Sequence, residues 1–186
     1  MTTAPAPARP TRPSADETRE RILAALGDLI RREGFEQVSF KALAKEARVT
    51  EITVYRHFRD RQELLRAFWS WMDARVGQRG IPQSEEALLA DIIPVFMGFD
   101  EQEQLMRAAL LTAEGRAMRM SVQAEREAGF RRALAGATAG LTPKERQRVL
   151  AVIQLLYSGY AWLSMRDHWG LDGKEAGEAA LWAVRT

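Results

Sequence analysis

Two short amphipathic stretches, each opened by a hydroxyl side chain suited to capping a helix, stand only two residues apart in this chain. Ser39 precedes a stretch with Leu43, Ala44 and Ala47 on one side. Thr50 precedes another that runs to about Phe58, with Val54 and Phe58 at i and i+4. The joint between them is Arg48-Val49. Two short helices held by so tight a joint predict a helix-turn-helix, because the second must cross the first instead of continuing it.

The flanking sequence extends this pattern in both directions. Upstream, Ser14 and Glu17 form a capping box, Ile22, Leu23, Leu26, Leu29 and Ile30 mark one helical face, and Gly34 supplies a stop. Downstream, Asp60 and Glu63 open a fourth helix through Leu64, Leu65, Phe68, Trp69 and Met72, placed to bridge two domains. Beyond Gly80 and Pro82 there is no alternating strand signal, and five further helices are expected near 84–98, 101–113, 121–136, 143–167 and 173–185. Thr142-Pro143-Lys144-Glu145 and the pair Asp172 and Glu175 mark the starts of the last two. The fold class is therefore all-α, with about nine helices. The expected organisation is a disordered, proline-rich arm over 1–13, a helix-turn-helix domain over 14–60, a connecting helix over 61–80 and a C-terminal helical domain over 81–186.

Composition narrows the chemistry. With 46% hydrophobic residues in 186, a sizeable core is possible. Zero cysteines exclude disulfides and thiolate metal sites, and His57 and His168 cannot alone hold zinc, so no metal and no cofactor are expected. No stretch reaches the roughly 18 apolar residues of a membrane span and no apolar leader opens the chain, giving a cytoplasmic reading without a membrane partner. The net charge of +2 is unevenly divided: residues 1–80 carry 15 Lys/Arg against 11 Asp/Glu, and the remainder 12 against 14. A basic excess confined to the helix-turn-helix end suits a phosphate-facing module.

From Thr18 to about Phe68 the sequence resembles the DNA-binding domain of the TetR family. The resemblance rests on Ile22, Ala25, Gly34, Phe35, Ser39, Ala44, Ala47, Val49, Thr50, Thr53, Tyr55, His57, Phe58, Leu64 and Leu65, most densely over 49–58 and 60–65. It implies a regulator that binds double-stranded DNA at a palindromic operator as a homodimer, commonly a repressor released by a small-molecule effector. A recognition helix needs a short exposed face with small or polar groups near its N-terminus, and Thr50, Glu51, Ile52 and Thr53 supply it. Thr50 is a cap alone or also a phosphate donor. Thr53 can meet a base edge or a thymine methyl. Glu51 either accepts from a cytosine amino group or is a solvated bystander, and Ile52 either touches a thymine methyl or packs. Tyr55 and His57 stand at positions that in this family often touch phosphate, His57 having a helix-end role as its alternative. Arg61 and Ser39 sit at helix starts where phosphate is favoured. Arg9 and Arg12 belong to the arm, as a solubilising tail or a minor-groove contact. One residue departs from the family pattern: the turn usually holds glycine where this chain has Arg48. A left-handed arginine costs about 1 kcal/mol, and its side chain can reach a phosphate.

In the C-terminal half the likeness is confined to helical layout and to Leu163–Val184. By analogy the last two helices dimerise, with Leu150, Ile153, Gln154, Tyr157 and Ala161 on one and Ala176, Ala179, Ala180 and Ala183 on the other, although a purely internal core competes. Phe96, Met97, Phe99, Met106, Met118, Met120, Trp162 and Met165 are candidates for an apolar ligand pocket, or simply core. An enzyme is not expected: Asp91, Asp100, Glu114 and Glu125 are scattered acids without a phosphate loop or ligand cluster. The alternative to a ligand-responsive repressor is a helical interaction protein, or a DNA-binding regulator with no small-molecule effector.

Overall fold

The computed structural model describes residues 14–35, 38–76 and 81–185. The arm with Arg9 and Arg12, and Gly80, lie outside the described residues. Eleven helices and no strands form among them: α1 (Ala15–Glu33), α2 (Phe40–Glu46), α3 (Glu51–His57), α4 (Arg61–Arg75), α5 (Glu85–Glu101), α6 (Glu103–Leu111), α7 (Ala113–Met120), α8 (Gln123–Ala133), α9 (Pro143–Leu156), α10 (Gly159–Trp169) and α11 (Gly173–Arg185).

The helix starts follow local chemistry. Ser14 Oγ accepts from the Glu17 amide at 3.1 Å while Glu17 accepts from the Ser14 amide at 2.7 Å, closing the expected box. Thr142 and Glu145 do the same at α9, with Pro143 in the first turn where its missing N–H costs nothing. Asp60, Ser39 and Thr50 each cap their helix by accepting an amide N–H.

Two helices more than expected arise in the C-terminal half: α7, in the stretch expected to link 101–113 to 121–136, and α10, separated from α9 by a break. Thr112 ends α6 and starts α7 at once, its hydroxyl donating to the Ala108 carbonyl and accepting from the Gly115 amide. The helix expected over 143–167 stops at Leu156 and resumes at Gly159. Here Tyr157 leaves the helical region (φ −94°, ψ 45°), its ring going edge-on to Phe130 at 5.7 Å. Gly159 then lies so close to α6 that a Cβ would stand 2.7 Å from Met106 Cε. Apolar periodicity runs through this break, which is why it predicts a single helix over 143–167.

One continuous core joins the two ends of the molecule. Ile22, Leu26, Leu43, Val54, Phe58, Leu64 and Phe68 are fully buried where α1 to α4 meet, and Leu88, Ile92, Phe96 and Trp162 where α5 meets α10 and α11. Helix α11 lies close along α5, an approach that requires glycine: a Cβ on Gly173 would be 2.5 Å from the Phe96 carbonyl oxygen. Helix α4 is tied to α1 by Trp71, whose indole N–H donates to Glu20 at 2.9 Å, and by Arg75, which bonds the same carboxylate and stacks 3.6 Å over the Trp71 ring. Burial opposes the charge on Glu20, but these two donors outweigh it and hold its pKa below the usual value.

Candidate functional site

The turn between α2 and α3 is built as a Schellman motif. Val49 N–H donates to Ala44 O at 3.0 Å and Arg48 N–H to Lys45 O at 3.2 Å, the paired bonds that satisfy the last carbonyls of α2. The motif needs a left-handed residue between them, and Arg48 takes it with φ 53°. It is the single non-glycine with positive φ among the described residues.

Helix α3 is thereby aimed outward. Val54 and Phe58 are fully buried on its inner face, while Ile52 on the opposite side is 80% exposed. Glu51 is exposed beside it, and Thr50 Oγ1 accepts from the Thr53 amide at 3.2 Å and lies 2.8 Å from the Thr53 hydroxyl. Tyr55 rests its ring 4.6 Å from that of Phe40 and leaves its edge exposed. His57 closes the helix, its carbonyl accepting from Arg19 at 3.3 Å while the Arg19 guanidinium covers the Phe58 ring. Burial depresses the His57 pKa, the neighbouring Arg56 and Arg19 add to this, and Asp16 opposes it, so the ring is neutral near pH 7. Ser39 spends its hydroxyl on the Ala42 amide. Arg61 differs from its expected role as a free phosphate donor, because its guanidinium donates to the Val38 carbonyl at 2.6 Å and the Phe35 carbonyl at 3.2 Å, bracing the entry to α2. Sequence reading passed over Lys41, Lys45 and Arg56, exposed cations on the same two helices that no capping or periodicity signal singles out.

A second site lies in the C-terminal half. A cavity of about 450 Å³ opens among α4, α7, α8, α9 and α10, lined chiefly by Trp69, Asp73, Phe99, Met106, Arg119, Met120, Arg126, Gln154, Tyr157 and Tyr160. Of the eight pocket candidates from sequence, only Phe99, Met106 and Met120 reach it. Phe96, Met118 and Trp162 are core, Met97 is on the surface, and Met165 packs against the core elsewhere. The polar wall residues were missed, Asp73 among them, because the wall is assembled from helices far apart in sequence. Burial pushes the Asp73 carboxyl up to about 7, against the opposing pull of Arg126 and a hydrogen bond from Trp69.

The stripes expected at a dimer interface are mostly turned inward. Leu150, Tyr157, Ala161, Ala176 and Ala180 are buried in the chain's own core, Ile153 and Ala179 are half-buried, Gln154 lines the cavity, and Ala183 alone is exposed. An exposed apolar groove runs instead along Val149, Val152, Ile153, Leu156, Ala183 and Val184, with Trp182 72% exposed nearby. The core thus takes most of the residues that the sequence offered for dimerisation, while Ile153 and Ala183 belong to this groove.

The described residues combine a helix-turn-helix that presents an exposed, capped second helix with a helical body holding a cavity. Residues 22–68 match the family model described as bacterial regulatory proteins, tetR family, a match confined to about a quarter of the chain. It is 34% identical over 71 residues to the HTH-type transcriptional regulator AcrR of Shigella flexneri, a match covering 38% of this chain and 33% of the relative, so the match spans only a third of that protein's length. The whole fold is similar to that of NalD, the secondary repressor of the MexAB-OprM multidrug efflux pump in Pseudomonas aeruginosa, with a TM-score of 0.66, 19% identity and coverage of 92% and 95% of the two chains. It is also similar to Thermus thermophilus FadR in complex with lauroyl-CoA, with a TM-score of 0.52, 20% identity and coverage of 90% and 93%. No described helix is long and apolar enough to cross a membrane.

Proposed function

We propose that this protein is a cytoplasmic, non-enzymatic transcription regulator that binds a palindromic DNA operator as a homodimer and releases it when a small molecule occupies the α4–α10 cavity. The observation that carries this is Ile52, a large apolar side chain held almost fully exposed on a short helix whose opposite face is fully buried. Exposed apolar groups placed by rigid backbone mark contact surfaces, and beside Thr50 and Thr53 this one suits the floor of a major groove with thymine methyls. In this reading residues 14–60 contact DNA, α4 connects, and 81–186 sense and dimerise. Tyr55, Thr50, Ser39, His57 and Arg48 meet phosphate, Glu51, Ile52 and Thr53 meet bases, and Arg61 positions α2 instead of contacting DNA directly. The apolar groove of α9 and α11 pairs with a second copy, setting two recognition helices roughly one DNA turn, about 34 Å, apart.

Release requires that the effector bind the DNA-incompetent arrangement more tightly, and linkage then makes operator DNA weaken effector binding by the same factor. Selection of bound duplexes from a random pool tests the DNA reading, with a symmetric site expected. On that site Tyr55→Phe weakens binding to all sequences alike, whereas Glu51→Ala relaxes preference at one base pair, each measured by gel shift at fixed salt. Equal, weak and salt-sensitive affinity for every duplex would overturn the proposal.

A further inference from the structure

The cavity differs from an ordinary apolar pocket in the balance of its charges. Three guanidinium groups, Arg116, Arg119 and Arg126, line it with a single carboxylate, Asp73. Burial favours the neutral form of that acid, so the wall carries a positive excess near neutral pH. Arg126 lies 5.9 Å over the Trp69 ring and is largely enclosed.

Arg119 is the more informative group. Its Nη2 donates to the Tyr160 hydroxyl and its guanidinium sits 4.9 Å over the Tyr160 ring, which fixes the plane of the fork. Its Nη1 is buried and meets no hydrogen-bond acceptor in the protein. A buried charged donor without an acceptor is unfavourable, and such groups are rare unless something else supplies the acceptor. The rest of the wall is mainly apolar: Trp69, Phe99 and Tyr157 contribute rings and Met106, Leu110 and Met120 fill the spaces between them, while Gln123, Gln154 and Ser158 add neutral polar groups, the two glutamines bonded to each other.

We infer that this cavity takes an organic anion with a flat apolar body, its acidic head against Arg119 and Arg126 and its rings among Trp69, Phe99 and Tyr157. This rests on reading the cavity as the effector site, and it adds the class of effector. A carboxylate or similar head supplies the acceptor that Arg119 Nη1 lacks, in a geometry that guanidinium groups match well. A cation meets three like charges. A neutral body of the same shape fills the apolar part and forgoes the charge-assisted bonds.

Isothermal titration of the full chain with naphthaleneacetate, naphthaleneethanol and naphthaleneethylammonium, three probes of nearly equal shape, separates these cases. The acid is expected to bind at least about tenfold more tightly than the alcohol, the amine not measurably, and Arg119→Met to erase most of the acid's advantage while keeping the alcohol's affinity. Equal binding of acid and alcohol, preference for the amine, binding of none of the three, or an acid preference that survives Arg119→Met would each overturn the inference. The comparison on the unsubstituted protein decides the matter even if the variant does not fold. Titration needs no DNA, so a protein that selects a symmetric operator but takes none of the probes loses only this inference, and one that takes the acid without selecting DNA loses only the regulator reading.

Discussion

Arg48 occupies a position where a side chain is a burden. Gly170 occupies a left-handed position at the end of α10 (φ 68°), with Leu171 N–H reaching back to the Met165 carbonyl, and glycine takes that conformation freely. Arg48 closes the equivalent turn after α2 with a Cβ in the way. Arg48→Gly should therefore raise stability by about 1 kcal/mol in urea denaturation, and lower operator affinity if the guanidinium reaches phosphate. The need for a left-handed residue was legible from the family resemblance, since that family usually has glycine at this turn. Asp73 was not, because its environment is assembled from α4 and α8, far apart in sequence. Its carboxyl rises from 3.8 to about 7 on folding, so the folded chain holds the proton more tightly than the unfolded one. Stability accordingly declines as pH climbs above 3.8 and levels off past about 7. Arg116, Arg119, Arg126, Glu125 and Arg132 border it on the two adjoining cavities. Asp73→Asn should flatten the fall of melting temperature between roughly pH 4 and 7, a difference in which the opposite contribution of His57 cancels.

At the scale of helices, what the sequence made visible was what neighbours in sequence decide. Caps at Ser14, Ser39, Thr50, Asp60 and Thr142 depend on residues three apart and fall where expected. Thr112 is itself a local cap that the sequence reading passed over, whereas the break at Tyr157 depends on α6 and α8 and left no local trace. Close approach is equally non-local. Gly98 on α5 faces the end of α4, where a Cβ would stand 2.2 Å from the Val76 carbonyl oxygen, and neither backbone can yield cheaply. Gly98→Ala should cost roughly 1–3 kcal/mol by chemical denaturation. Gly136→Ala, with nothing within 4 Å of the added methyl, serves as the control and should shift stability by no more than about 0.5 kcal/mol.

For the whole molecule, the apolar groove along α9 and α11 is the surface proposed above to pair with a second copy. Val152 is 55% exposed within it, so Val152→Arg should leave the fold intact and shift sedimentation from dimer to monomer, with loss of cooperative operator binding. An unchanged sedimentation profile would place the interface elsewhere. Helix α4 gives the assembled protein its mechanical character. Trp69 and Asp73 on it belong to the cavity, and Trp71, between them in sequence, grips Glu20. Next to Glu20 stands Arg19, which holds the last carbonyl of α3. On the proposal that α3 reads DNA and two copies pair, a twist of α4 about its long axis by one molecule lodged beneath Trp69 would act as torque on a short shaft whose far end is the reading head, and two such shafts yoked back to back would turn in opposite senses over one stretch of duplex.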